Sequence, residues 1–361
     1  MRIALVGKRA QAFVAGLRSL PGVRVTAFCE VDPAALEQVA ERHGIPKRYP
    51  AYEEVLASDV EAVVVGTPMQ LHVPQAVAAL RAGKHVLSEV TAAVSVGECR
   101  ELVAAVRTSR RVYMMAENYC YSKPAMLVRE MARRGLFGEL YYAEGAYIHD
   151  CRHLHYDAQG NPTWRRYLQV GKRGATYPTH SLGPVLEWLD DRVATVACMG
   201  SGARVDPTHE TDTTVSMLCR TARGGLVDVR LDMQSPRPHN MTHYVLQGTK
   251  GAYVSGRRPG EPGLVWIEGR SPGREQWQTL DEYEPEFLPE EWREHGTEAT
   301  AAGHGGGDFF VARAFAKAVL EGTPPPIDVD RAMDFTLPGL ISEESIARGG
   351  VPLPVPDSRT W

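Results

Sequence analysis

Tyr177 and His180 stand three residues apart on either side of Pro178, at what reads as the start of a helix. Proline suits the first helical turn, so the two side chains flank a helix start and can face one cleft. A histidine titrates near neutrality and suits proton transfer. A tyrosine donates to an oxygen, or acts as a base when its pKa is lowered. Tyr121 follows Glu117-Asn118 closely enough to share a strand exit, and is the third candidate for moving a proton. The alternative is structural, with Tyr177 packed in a core and His180 capping a backbone carbonyl. Further on, His149, Cys151, His153 and His155 alternate, so a strand would present all four on one face. Neighbouring strand positions seldom close a zinc tetrahedron unaided, and no metal is expected.

The elements that must position these residues fall into two regimes. Over the first 120 residues, short apolar runs alternate with amphipathic stretches. The strand-like runs are Ile3–Val6, Val23–Phe28, Ala62–Val65, His85–Ser88 and Val112–Met115. Between them lie helical patterns at Gln11–Leu20, Pro33–His43, Val73–Arg81 and Ser95–Thr108. Asp32 precedes Pro33 as an N-cap, Gly44 follows His43, and Ser95 caps the last helix. This rhythm predicts a doubly wound parallel sheet, an α/β Rossmann domain over residues 1–121. After Tyr121 the strand runs lengthen: Leu140–Ile148, Val193–Met199, Thr211–Cys219, Gly225–Met233, His243–Gln247 and Ala252–Ser255. One helix interrupts them, at Pro178–Leu189, after another at Lys123–Arg134. The expectation for 122–361 is an α+β domain with a largely antiparallel open sheet, for substrate and oligomerisation. Residues 256–303 lack periodicity and read as a lid, an oligomer arm or a disordered loop. Two C-terminal helices follow, near Asp308–Leu320 and Asp330–Ile346, free to pack back on the first domain.

In an open α/β sheet, ligands bind beyond the carboxyl ends of the strands, where strand order reverses. Gly7 ends the first strand, as a pyrophosphate-binding turn requires. Arg9 and Ala12 hold the later glycine slots. Ala12 is an accepted third member; Arg9 would crowd a pyrophosphate unless the loop is a residue short or Arg9 swings out and pairs with phosphate, the alternative being a tight turn with a solvated Arg. Glu30 lies 23 residues after Gly7, where an acid holds the ribose 2′-hydroxyl and repels a 2′-phosphate. That favours NAD over NADP. Asp32 is a second candidate beside Glu30, or simply the helix cap.

Two further segments carry a resemblance. Gly66-Thr67-Pro68-Met69-Gln70-Leu71-His72 and Ala82-Gly83-Lys84-His85-Val86-Leu87-Ser88-Glu89-Val90 resemble the glucose–fructose oxidoreductase / inositol dehydrogenase (Gfo/Idh/MocA) family, as do Glu117-Asn118 and His180. The resemblance implies a nicotinamide cofactor and a sugar-like or cyclitol substrate. It places Thr67 and Pro68 near the nicotinamide side, with His72 nearby or structural. It puts Glu89 on the nicotinamide ribose and Asn118 where cofactor and substrate meet. Family dehydrogenases usually carry Glu-Lys-Pro after the fourth strand; here Glu89-Val90-Thr91 removes the lysine that helps deprotonate a hydroxyl. Tyr177-Pro178-Thr179-His180, Glu89-Val90 and His304-Gly305-Gly306-Gly307-Asp308-Phe309 together resemble one branch, the NAD-dependent glycoside hydrolases of the α-N-acetylgalactosaminidase type. That branch implies transient oxidation at carbon 3 of a sugar, elimination, addition of water and re-reduction. The rivals are a sugar or cyclitol dehydrogenase that releases NADH, and a non-catalytic sugar- or cofactor-sensing protein. On this reading His149, Arg152 and His153 line a substrate cleft and Trp164 stacks on a sugar, or belongs to a solvated loop. His304 contacts substrate, and Asp308 either caps the following helix or contacts substrate too.

Composition narrows the remaining classes. The 361 residues suggest two domains of about 150 each. A net charge of −4 argues against nucleic acid as a partner, because binding there needs surplus cations. No apolar run is long enough to cross a bilayer, and the start of the chain resembles neither a signal nor a transit peptide. The six scattered cysteines read as reduced core thiols, so a cytoplasmic location is the expectation; the family resemblance implies a homo-oligomer, a dimer or tetramer, through the open face of the antiparallel sheet.

Overall fold

The β-branched run Ala62–Val65 is buried on both faces, as a central parallel strand must be. In the computed structural model, which describes every residue except 207, 209, 210, 239 and 259, it is β4 of a six-stranded parallel sheet. The other strands are β1 (Arg2–Val6), β2 (Arg24–Cys29), β3 (Lys47–Tyr49), β5 (His85–Ser88) and β6 (Tyr113–Met115). Their order, β3-β2-β1-β4-β5-β6, reverses between β1 and β4, which is the switch point of a Rossmann fold. The expected caps are in place. Asp32 accepts from Ala34 N, Gly44 ends the Pro33–His43 helix at φ 59°, and Ser95 accepts from Glu98 N.

Several elements differ from expectation. β3 escaped notice because Lys47-Arg48-Tyr49 is short, polar and at the sheet edge. The stretch after β1 is not one helix. It runs as a 3-10 turn over Lys8–Phe13 and then as a five-residue helix, Val14–Arg18. Gly16 explains its close docking: a Cβ there would lie 2.1 Å from the Phe309 carbonyl oxygen of the Gly307–Glu321 helix.

The chain divides after residue 122, and part of the C-terminal segment joins the first unit. Residues 1–122, 295–333 and 358–361 form one unit, and 123–294 and 334–357 the other. The tail returns to the first unit through Arg107, which donates to the Ser358 carbonyl, and through Arg100, whose guanidinium lies 4.4 Å from the Trp361 ring.

The second unit is built on a nine-stranded sheet. Its strands are β7 (Leu140–Ile148), β8 (Val193–Gly200), β9 (Thr214–Thr221), β10 (Leu226–Asp232), β11 (Asn240–Gly248), β12 (Gly251–Val254), β13 (Leu264–Ile267), β14 (Gln278–Thr279) and β15 (Leu353–Pro354). Their order is β14-β13-β12-β11-β7-β10-β9-β8-β15, antiparallel throughout except for β7 with β10. Residues 256–303 were expected to be irregular. They instead contain β13, β14 and two helices, Glu284–Phe287 and Glu290–Ala301, entered through a capping box at Thr279 and Glu282. All six cysteines are buried, with no disulfide among the described residues. No described helix is long and apolar enough to cross a membrane.

Gly16→Ala should lower unfolding stability by about 1–3 kcal/mol, the usual cost of overpacking a closed contact. A drop in the urea midpoint at unchanged slope would register it.

Candidate active site

At the switch point, Gly7 leaves β1 at φ 83°, a region that favours glycine. A Cβ there would meet the Gly66 carbonyl oxygen at 2.6 Å, and one on Gly66 would meet Ala10 N at 2.4 Å. The two glycines therefore bring the turns after β1 and β4 together with bare backbone. Glu30 sits at the end of β2. Its Oε2 accepts from Lys8 N at 2.9 Å, and its Oε1 from Val31 N at 2.8 Å and Asp32 N at 3.3 Å. A carboxylate has about four acceptor sites, so Oε2 keeps capacity for a ribose hydroxyl. Asp32 is spent on its helix. This cradle fits a dinucleotide: a tight glycine turn, a neighbouring bare turn and an acid at the second strand. Ala12 lies half-buried within the 3-10 turn.

Arg9 swings out of the turn, toward two carboxylates. Its Nη1 and Nη2 donate to Asp308 Oδ2 and Oδ1 at 3.1 and 2.8 Å, and its Nε is ion-paired with Glu89 Oε1 at 2.8 Å. The bulk in the second glycine slot is thus drawn off by two carboxylates. Glu89, expected on the nicotinamide ribose, holds Arg9 with Oε1, while Oε2 accepts from Val90 N. Asp308 is not a helix cap. Besides Arg9, it accepts from Asn118 Nδ2 at 2.8 Å and from His304 Nδ1 at 2.8 Å. Burial alone would raise the Asp308 pKa. Hydrogen bonds from His304 and Arg9 outweigh it and hold the carboxyl well below the usual aspartate range.

The loops around this centre are pinned by other expected residues. His72 is buried, with Nδ1 2.8 Å from the Thr91 carbonyl and Nε2 2.9 Å from the Thr67 carbonyl. Its role is to tie the turns after β4 and β5 together, the structural one of its two readings. Thr67 Oγ1 donates to Gln75 Oε1, and Pro68 opens the short turn before the His72–Arg81 helix. Asn118 and Tyr121 are buried in a 3-10 turn capped by Glu117.

In the second unit, the Thr179–Leu189 helix starts directly over β7: a Cβ on Gly145 would meet the Ser181 carbonyl oxygen at 2.1 Å. The Tyr244 hydroxyl donates to the His180 carbonyl at 2.6 Å and fixes that first turn. Pro178 stands just ahead of the helix rather than within it. Tyr177 and His180 come together, their ring centroids 5.3 Å apart. Tyr147, which sequence reasoning missed, joins them at 6.1 Å from Tyr177 and 5.0 Å from His180. His149 completes the cluster, 5.7 Å from Tyr147. The i, i+2 spacing of Tyr147 and His149, at the end of β7 and just beyond it, was the available signal.

The shared strand face expected in this unit is corrected. β7 stops at Ile148 and residues Arg152–Leu154 form a 3-10 turn, so positions 149, 151, 153 and 155 share no strand face. Cys151 and His155 are buried, while His153 is exposed. Arg152 is exposed and engaged by Asp150, whose carboxyl it holds down to about 2. Trp164 carries the Arg165 guanidinium 4.4 Å from its ring centroid, which occupies one face. Among the described residues no group of three His, Cys, Asp or Glu is arranged to hold a metal. His304 belongs to the first unit, with Asp308.

Residues 1–117 match the family model described as the oxidoreductase family with an NAD-binding Rossmann fold. The chain is thus an NAD-dependent enzyme of the Gfo/Idh/MocA class. Residues 121–216 and 204–360 match the model for the glycosyl hydrolase 109 C-terminal domain. A glycosyl hydrolase family 109 protein from Solibacter usitatus is 34% identical over 99% of this chain and 88% of its own length. An α-N-acetylgalactosaminidase from Shewanella oneidensis is 29% identical over 94% of this chain and 81% of its own. The fold is shared with a levoglucosan dehydrogenase in complex with NADH and levoglucosan (TM-score 0.82, 21% identity, 99% of both chains). The protein belongs to glycosyl hydrolase family 109.

Asp308→Asn should cost about 3 kcal/mol at neutral pH by leaving Arg9 short of a buried counter-charge. A depressed folded-state pKa gives stability that is complete above the unfolded value, about 4, and is lost only as pH falls through the lower folded value. The wild-type advantage should therefore be constant from neutrality to about pH 5 and shrink only in stronger acid, in urea titrations across pH.

Proposed function

We propose that this enzyme cleaves glycosides by transient oxidation at carbon 3 of a sugar, elimination and re-reduction, with an N-acetylgalactosaminide as the first substrate to try. The observation that carries this is the Tyr177–His180–Tyr147 cluster of the second unit; in the first unit, Val90 stands where family dehydrogenases carry the lysine that helps deprotonate a hydroxyl. The name of the Shewanella oneidensis relative supports the choice of sugar. When bound, NAD supplies a reversible hydride acceptor.

The residues then divide the work. Gly7 and Gly66 leave room for the pyrophosphate, and Glu30 takes the adenosine ribose hydroxyl. A ketone at carbon 3 acidifies the proton on carbon 2. The His180 imidazole removes that proton, and the Tyr177 hydroxyl protonates the oxygen leaving carbon 1. Water then adds to the enone, returning a proton to carbon 2 and a hydroxyl to carbon 1. Tyr147 packs on both rings and sets their angle. No carboxylate pair flanking the glycosidic bond is needed for this route.

NAD-loaded protein given 4-nitrophenyl α-N-acetylgalactosaminide should release nitrophenol with no net NADH. Net NADH from free sugar without nitrophenol release would make the protein a dehydrogenase and defeat the proposal; neither signal would favour a sensor. His180→Ala should cut nitrophenol release by about 100-fold or more, the usual worth of a general acid or base. Its NAD affinity by calorimetry should barely move. Glu30→Ala should weaken NAD about tenfold, the loss of one charge-assisted hydrogen bond, and relax selection against NADP. Unchanged affinity for both dinucleotides would remove Glu30 as the ribose reader.

A further inference from the structure

The network that draws Arg9 off the glycine turn is not balanced in charge. Glu89 Oε1 is 2.8 Å from Arg9 Nε, and Asp308 takes the two terminal nitrogens at 3.1 and 2.8 Å. Two carboxylates thus face one guanidinium. The acids are also the better buried, with side chains 10% and 2% exposed against 36% for Arg9. Water screens the cation more than the anions, so the negative surplus is felt inside the site. Hydrogen bonds keep Asp308 in its charged form against the effect of burial. Its remaining partners are Asn118 Nδ2 and His304 Nδ1, and an amide or a neutral imidazole donates without adding charge. Glu117, a further acid, is buried in the turn after β6.

These groups lie on one side of the sheet's switch point. A Rossmann fold binds one nucleotide on each side of that point. Glu30, at the end of β2, puts the adenosine on the β1–β2–β3 side. The nicotinamide half then falls to the turns after β4, β5 and β6. Glu89 follows β5, Asn118 follows β6, and Asp308 is bonded to Asn118. With its amide nitrogen on Asp308, Asn118 keeps its side-chain oxygen buried and without a hydrogen-bond partner. The carboxamide N–H that nicotinamide carries beside its ring is a donor suited to that oxygen. The oxidised ring bears a positive charge and the reduced ring none. Fixed negative charge nearby stabilises the first and leaves the second nearly unaffected.

We propose that Glu89 and Asp308 select the oxidation state of the cofactor this enzyme holds, their surplus charge favouring NAD⁺ over NADH in the bound state; this needs NAD binding alone and holds whichever sugar reaction follows. Neither residue moves a proton or a hydride. Arg9 limits the surplus and keeps the two acids from repelling each other.

Calorimetric titration of the full chain, freed of dinucleotide, with NAD⁺ and with NADH tests this at about pH 8, where an ordinary imidazole is neutral. Wild type should bind NAD⁺ at least as tightly as NADH. Glu89→Gln keeps the shape of the side chain and removes its charge, so it should weaken NAD⁺ at least about fivefold more than NADH. Glu89→Asp keeps the charge, so its ratio of the two affinities should stay within about threefold of wild type even if both affinities fall. A wild type that binds NADH the more tightly, a smaller change of ratio in Glu89→Gln, or a larger one in Glu89→Asp would each overturn the assignment. A uniform loss of both affinities in Glu89→Gln, which a merely structural role would give, counts as the second of these. Should that variant bind neither dinucleotide, the wild-type comparison and Glu89→Asp decide.

Discussion

One buried carboxylate organises the first unit. Asp308 accepts from Arg9, Asn118 and His304, which come from the turn after β1, the turn after β6 and the loop before its own helix. A buried charge is costly unless its oxygens are satisfied, so the three donors and the acid require one another. Remove the acid, and Arg9 loses the pull that keeps its side chain out of the glycine turn. The substitution of arginine for glycine in a dinucleotide fingerprint, which looks like decay in a linear reading, is compensated by this residue.

The second unit holds a histidine in place by its backbone. Gly145 lets the helix carrying His180 sit against β7, and Tyr244 from the adjacent strand takes the His180 carbonyl. The backbone is secured from below and from the side. The imidazole packs with the Tyr147 and Tyr177 rings. Rigid support of this kind is what proton transfer requires, because small misplacements of a base are costly in rate.

After β5, Val90 stands where family dehydrogenases usually carry a lysine, and the proposed route uses imidazole and phenol groups for proton transfer instead. An imidazole accepts and returns a proton near neutral pH more readily than an ammonium group does. A cycle that oxidises, eliminates and then re-reduces needs such reversibility, whereas a one-way oxidation does not.

Much of the architecture is legible in the chain alone. The β-branched runs, Asp32 and Ser95 as caps, Gly44 as a stop and the placement of Gly7 and Glu30 are local features, and local sterics and hydrogen bonding decide them. The Tyr177–His180 pair was equally visible, because the spacing of three and the helix start bring the residues together. Residues 256–303 were misjudged because their short strands take their order from pairing with β12, a partner that periodicity does not reveal. Tyr147 was missed because an aromatic in a strand is ordinarily core. What only the tertiary structure decided was the destination of the charged groups. Arg9 and Asp308 are 299 positions apart, and nothing near either residue announces the other. Burial makes their pairing obligatory, and burial is a property of the folded chain.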